Sequence, residues 1–215
     1  MAARTMSACL LVLCALPSFA EIVDCVAVSV GDQVITQSQI LDDIRVTAFL
    51  NNETPDFSSD ARRDAADRLI AQLLIRREME SSGYPMPAQA EADAPEKALI
   101  ARFGGEEAWN AALEKYGITR DQARQALWLQ ITTVRFIDYR FRPAVQAPRS
   151  AVQAEYDKHV AEWRARGEKN IPSFDEARSA MEQVVLEQRA NQALDVWLGE
   201  TRKQLSIIYH RSAFQ

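Results

Sequence analysis

The chain has 215 residues, 47% of them hydrophobic, with 25 Lys and Arg against 30 Asp and Glu for a formal net charge of −5. That balance argues against a nucleic-acid footprint, which needs Lys and Arg clustered on one face. Beyond the first twenty residues Cys25 is the one cysteine left, which excludes an intramolecular disulfide there. Stability has to come from an apolar core, and a chain of this length buries roughly 70% of its unfolded surface.

The chain opens with Arg4, the apolar run Ala8–Leu16, Pro17 and the small-residue site Ser18-Phe19-Ala20. This pattern predicts a cleaved secretory signal peptide over residues 1–20. The apolar run falls short of the roughly 18 residues that span a bilayer, so no stable membrane insertion is expected. Removing the segment takes away Arg4 alone among charged residues and leaves the rest mildly acidic.

Residues 22–36, IVDCVAVSVGDQVIT, read as two short strands around a Gly31-Asp32 turn. The strand period of two puts Val26, Val28 and Val30 on one face, with Cys25 a small buried hydrophobe in the strand. A lone hairpin is marginal in water, so it needs a partner. Helix starts are marked by four capping boxes: Thr36 with Gln39, Thr119 with Gln122, Ser150 with Gln153, and Ser173 with Glu176. The first helix carries Ile40, Leu41, Ile44 and Ala48 on one stripe and ends near Asn51-Asn52. A second begins near Asp60, presents Leu69, Ile70, Leu73 and Leu74, and stops at Gly83. The proline-rich stretch 84–95 is a connector with room for one helical turn. Short helices follow around Glu96–Phe103 and Glu106–Tyr116, stopped by Gly104-Gly105 and Gly117.

A long helix then runs from Thr119 to about Phe141, with Leu127, Ile131, Val134 and Phe141 on one side and Pro143 as its stop. From Ser150 the next helix shows the stripe Val152, Tyr156, Val160, Trp163. A polar break at 167–172 precedes a last helix, Phe174 to about Lys203, whose length suits a brace across the structure. QLSIIYH, residues 204–210, returns to β-branched and aromatic residues and is the candidate third strand. The fold class is therefore mainly α, a helical domain with a small antiparallel sheet formed by an N-terminal β-hairpin and a C-terminal strand.

No motif supports catalysis. There is no G-x-S-x-G elbow, P-loop or G-x-G-x-x-G, and His159 and His210 stand in no two-ligand spacing, so no catalytic residue, metal or cofactor is assigned. The acid pairs Asp42-Asp43 and Glu106-Glu107 read as solvated faces in first helical turns. Residues 99–141 carry more aromatic and apolar surface than one helical face buries, because Trp128, Phe136 and Tyr139 fall off the stripe of Leu127, Ile131 and Val134. Either helices pack this surface from both sides, or it lines an apolar groove for extended or helical peptides. On the second reading the binding residues are Phe103, Trp109, Leu113, Trp128, Phe136 and Tyr139.

Together these pieces resemble a known family. IVDCVAVSVGDQVITQSQI, with the leucine-rich helix behind it, looks like the start of the chaperone domain of SurA-type periplasmic proteins. YGITRDQARQALWLQITTVRFIDYRF is similar to that domain's long helical segment, and SAVQAEYDKHVAEW resembles the helix preceding the family's prolyl-isomerase module. IPSFDEARSAMEQVVLEQRANQALDVWLGETRKQLSIIYH is similar to the helix and strand that follow the module. Where the family carries a parvulin domain of on the order of 100 residues, this chain has only the linker 167–172.

The resemblance implies one SurA-like chaperone domain over 21–215. It comprises the hairpin and helices 21–166, the linker, and the C-terminal helix and strand 173–210. It implies a periplasmic, ATP-independent holdase without isomerase activity or cofactor. Its partners would be unfolded polypeptides such as outer-membrane protein precursors. The alternatives are a dimerising adaptor or scaffold with the same aromatics in a fixed interface, and residual prolyl isomerisation. Exchange of the C-terminal segment between two copies is a route to a homodimer.

Overall fold

In the computed structural model, which describes residues 24–214, Gly31 turns the chain from β1 (Val26–Val30) into β2 (Gln33–Thr36). Its φ of +60° is a backbone region that glycine enters without steric cost. The segment read as a signal peptide lies outside the described residues. Seven helices follow: α1 (Gln37–Asn51), α2 (Ser59–Ser81), α3 (Asp93–Phe103), α4 (Glu106–Tyr116), α5 (Arg120–Arg140), α6 (Arg149–Ala165) and α7 (Phe174–Lys203). The strand β3 (Ile207–Tyr209) and a 3-10 turn at 211–214 complete the described chain. The architecture is mainly α with a small antiparallel sheet, as the sequence predicts.

Three of the four capping boxes form, at Thr36, Thr119 and Ser173, each with the hydroxyl accepting from the third helical residue and the Gln or Glu bonding back. The fourth does not. Helix α6 starts two residues early, with Pro148 at its N-cap in place of Ser150, so Ser150 already lies inside the first turn and Gln153 instead bonds Asp157 at 2.9 Å. Helix α3 likewise begins before the expected Glu96, at Asp93. Pro95 is tolerated there because first-turn N–H groups have no intrahelical acceptor to lose.

The sheet order is β2-β1-β3, with β1 antiparallel to both neighbours. The C-terminal strand is thus the hairpin's missing partner, paired Val28 to Tyr209 and Val30 to Ile207. Gly31 N–H donates to Ser206 O (3.0 Å) and His210 N–H to Ala27 O (2.9 Å), closing the pairing at both ends. The expected face of β1 is corrected in one respect. A register shift between Val26 and Val28 turns Val26 outward and puts Ala27 and Val28 both under cover. Cys25 precedes the strand and is exposed, not the buried hydrophobe expected.

The sheet's inner residues, Val28, Val30 and Ile35, pack on Ile40 and Ile44 of α1 and on Ala65, Ala66, Ile70 and Leu74 of α2, with Phe214 from the C-terminal turn closing the cluster. Small residues at 65 and 66 let the hairpin and α1 approach α2 closely. Helix α7 spans two environments. Its first half packs on α6 through Ala177, Met181 and Val185 against Val152, and its second half meets the body through Leu194, Trp197 and Leu198. It is the brace its length suggested.

The sheet is tied to this body by a polar contact. Tyr209 donates to Asp67 Oδ1 (2.6 Å), which also receives Arg202. Burial and then this hydrogen bond push the Tyr209 phenol up to about 12. The unfolded value is about 10, so the neutral phenol favours the folded state. Its contribution is whole below about pH 10 and is lost as pH rises toward about 12. In an absorbance titration Tyr209 should ionise only as pH approaches about 12, accompanied by a fall in melting temperature. Tyr209→Phe should abolish that part of the alkaline dependence and cost about 1 kcal/mol at neutral pH; an unchanged alkaline profile would count against the contact.

Candidate peptide-binding cleft

The six aromatic and apolar residues singled out by the sequence do not come together in one groove. Trp109 and Leu113 are buried in a cluster with Phe49 and Ile118, where Phe103 is partly covered. Phe49 stacks on Phe103 at 5.0 Å and meets Trp109 edge-on at 4.9 Å. Trp128 is buried elsewhere, against Leu127 and Ala92, and donates its indole N–H to Pro87 O (3.0 Å). Phe136 is enclosed among Tyr84, Phe141 and Trp197. Tyr139 alone is largely exposed, stacked on Tyr84. Aromatic pairing between helices absorbs most of this surface, which is the first of the two readings the sequence allowed.

The buried side of α5 also differs from the predicted stripe. It runs Ala123, Leu127, Trp128, Thr132, Phe136, while Val134 is 56% exposed. Thr132 disguises the face because it reads as polar. In the fold its hydroxyl donates back to Trp128 O (2.8 Å), which satisfies it inside the core.

An open cleft lies where α1, α2 and α5 meet. Its lining comes from Gln39, Asp42, Asp43 and Val46 of α1, Leu69 and Gln72 of α2, and Asp121, Gln122, Gln125, Ala126 and Leu129 of α5. On α1 the positions 39, 42, 43 and 46, and on α5 the positions 122, 125, 126 and 129, repeat the i, i+3, i+4, i+7 spacing of a single helical face. Two facing stripes with short side chains at their centre leave a hollow of about 420 Å³, within the range of roughly 300–1,000 Å³ typical of ligand clefts. Val46, Leu69, Ala126 and Leu129 make the floor; amides and carboxylates make the rim.

The rim is acidic and partly engaged. Asp42 pairs with Arg45 (2.9 Å) and accepts from Gln122 Nε2 (2.9 Å). Asp43 takes two donors of Arg68 on Oδ2, at 3.0 and 2.6 Å. Burial holds the Asp43 carboxyl above the usual carboxylate range despite the opposing pull of Arg68. This corrects the reading of the Asp42-Asp43 pair as a solvated face, since the Asp43 side chain is only 12% exposed. Another acid was missed altogether. Glu96 is buried and holds Arg120 (2.6 Å) and Arg124 (2.8 Å), locking α3 onto α5 behind the cleft; Asp93 also contacts Arg124.

This arrangement can hold an apolar side chain on the floor while rim groups bond a neighbouring backbone. Gln72 and Gln125 are suited to the second task, because their amides offer both donor and acceptor. No group of three or more His, Cys, Asp or Glu side chains converges as a metal site among the described residues. His159 lies beside Glu155, and His210 bonds Ser29 at 3.0 Å. No helix among the described residues is long and apolar enough to cross a membrane. No protein-family model matches the chain, and no curated protein matches it.

Proposed function

We propose that this is a polypeptide-binding protein of the chaperone class. More particularly, we read it as a periplasmic, ATP-independent holdase of SurA type without an isomerase module, acting on unfolded polypeptides such as outer-membrane protein precursors. The observation that carries the reading is the α1–α2–α5 cleft, an apolar floor open to solvent within a rim of adaptable polar side chains. Clients of varied sequence share two things, apolar side chains and unpaired backbone groups, and the cleft offers a partner for each.

Two further features support it. The arm formed by α6 and the first half of α7 packs chiefly on itself, through Val152, Tyr156, Phe174 and Met181, and leaves the body's cleft uncovered. The short 166–173 connection, tied by Tyr156 Oη donating to Pro172 O (2.8 Å), closes this arm where the family places its isomerase domain. Binding and release need no covalent step: the work is the reversible burial of apolar surface, worth about 25 cal/mol per Å². The pattern Arg4 to Ala20 supports delivery to the periplasm.

The test is suppression of aggregation of an unfolded outer-membrane protein at stoichiometric amounts of this chain. Suppression is expected, and Leu129→Gln, which places an amide on the cleft floor, should weaken it severalfold while the far-ultraviolet circular dichroism is unchanged. A chain that gives no suppression at any ratio would remove the reading.

A further inference from the structure

We infer that the α1–α2–α5 cleft selects polypeptide segments in which a large apolar side chain stands next to a lysine or arginine. The inference rests on the polypeptide-binding reading above and adds the charge of the segment that is bound.

Every charged side chain lining the cleft is acidic: Asp42, Asp43 and Asp121. The arginines that offset the first two, Arg45 and Arg68, stand outside the lining and are already spent on those pairs. Both bonds from Arg68 go to Oδ2 of Asp43, which leaves Oδ1 without a partner among the described residues. Asp121 is exposed and has no ion pair there at all. The cleft therefore presents the unpaired charge of Asp121 and the free acceptor Oδ1 of Asp43 above an apolar floor, the complement of a segment that pairs an apolar side chain with a cation.

Geometry favours the same occupant. A hollow of about 420 Å³ takes a leucine or an aromatic side chain on Val46, Leu69, Ala126 and Leu129. A neighbouring Lys or Arg can lay its aliphatic stem along Leu69 or Leu129 and carry its head to the rim. Within such a partly desolvated rim an added cation is worth more than at an open surface. Asp121, exposed on the rim without an ion pair among the described residues, gains from it directly. A segment flanked by Asp or Glu meets like charge on the α1 and α5 walls, and the net charge of −5 opposes its approach from a distance.

The experiment measures fluorescence anisotropy of labelled unstructured peptides of equal length, each with a central Phe-Leu pair flanked by Lys, Ser or Glu, titrated with the full chain. The Lys peptide should bind about tenfold more tightly than the Glu peptide, with the Ser peptide between them and the gap shrinking at high salt. Asp121→Lys should weaken the Lys peptide severalfold and strengthen the Glu peptide. Glu187→Lys, an equal change of net charge on the distant α6–α7 arm, should alter neither. If Asp121→Lys perturbs the first turn of α5, Asp121→Asn reads the same effect at smaller amplitude. Equal affinity for Lys and Glu peptides, or an arm variant acting as strongly as the cleft variant, would overturn the inference while leaving the chaperone reading intact. Failure of all three peptides to bind, together with no suppression of aggregation, would instead remove that reading and this one with it.

Discussion

Replacing Phe136 by alanine should lower the unfolding free energy by about 3–5 kcal/mol, the usual cost of emptying an aromatic site in a packed core. Phe136 is fully buried and sits where three helices meet. From α5 its ring touches Trp197 of α7 at 4.9 Å and Phe141 at 5.5 Å, and it faces Tyr84, just beyond α2, at 6.4 Å. Ile75 and Met79 of α2 and Leu194 of α7 complete the site. None of these neighbours can move in to fill the space without releasing another helix, so the cavity term adds to the lost transfer energy. Tyr139, three residues on and 51% exposed, is the control: Tyr139→Ala should cost no more than about 1 kcal/mol. Urea unfolding of the two variants measures both. Similar losses for the two would mean that Phe136 does not hold α2, α5 and α7 together.

Ending the chain after Lys203 should unlock the sheet. The truncation removes β3, the strand paired to β1 on the side away from β2, and Ala213 and Phe214, which close the first core cluster. Gly31 N–H and the carbonyl of Ala27 lose their partners Ser206 O and His210 N–H, and Asp67 loses Tyr209. What stays is a two-stranded hairpin with Val28 and Val30 uncovered on one side, marginal by itself in water. Hydrogen exchange should report loss of protection across β1, while amides of α4 and α5 around the Phe49–Trp109 cluster, remote from the cut, keep theirs. A peptide of residues 204–215 added in trans should restore protection, the same pairing that would serve exchange of this segment between two copies. Retained protection at Val28 and Val30 in the truncated chain would show that β3 is dispensable.

Local signals in the sequence were sufficient for the elements themselves. Thr36, Thr119 and Ser173 carry their capping chemistry within four residues, and the glycines at 104 and 117 terminate α3 and α4 in left-handed conformations. The break at 167–172 and the thirty-residue α7 were legible for the same reason. Even the long-range clasp could be read, because a marginal hairpin needs a partner and QLSIIYH is the one β-rich stretch near the other end of the chain.

Facing and depth were decided elsewhere. The inward side of α5 includes Thr132, whose hydroxyl is satisfied by a carbonyl one turn back, so a hydrophobic stripe alone points the helix the wrong way. Val26 leaves the core because of a register shift in pairing, which no single strand encodes. Asp43 and Glu96 are covered because Arg68, Arg120 and Arg124 arrive from other helices. The cleft is the extreme case. Gln39 to Val46 and Gln122 to Leu129 are each an ordinary polar-to-apolar stripe, and only when α1, α2 and α5 pack does the space between them become a floor and a rim. Composition and short-range chemistry determine which segments are helix or strand, since those energies act within a few residues. The tertiary structure alone decides which side chains are spent on packing and which remain open to a partner, because burial is a property of the neighbours a residue acquires from the rest of the chain.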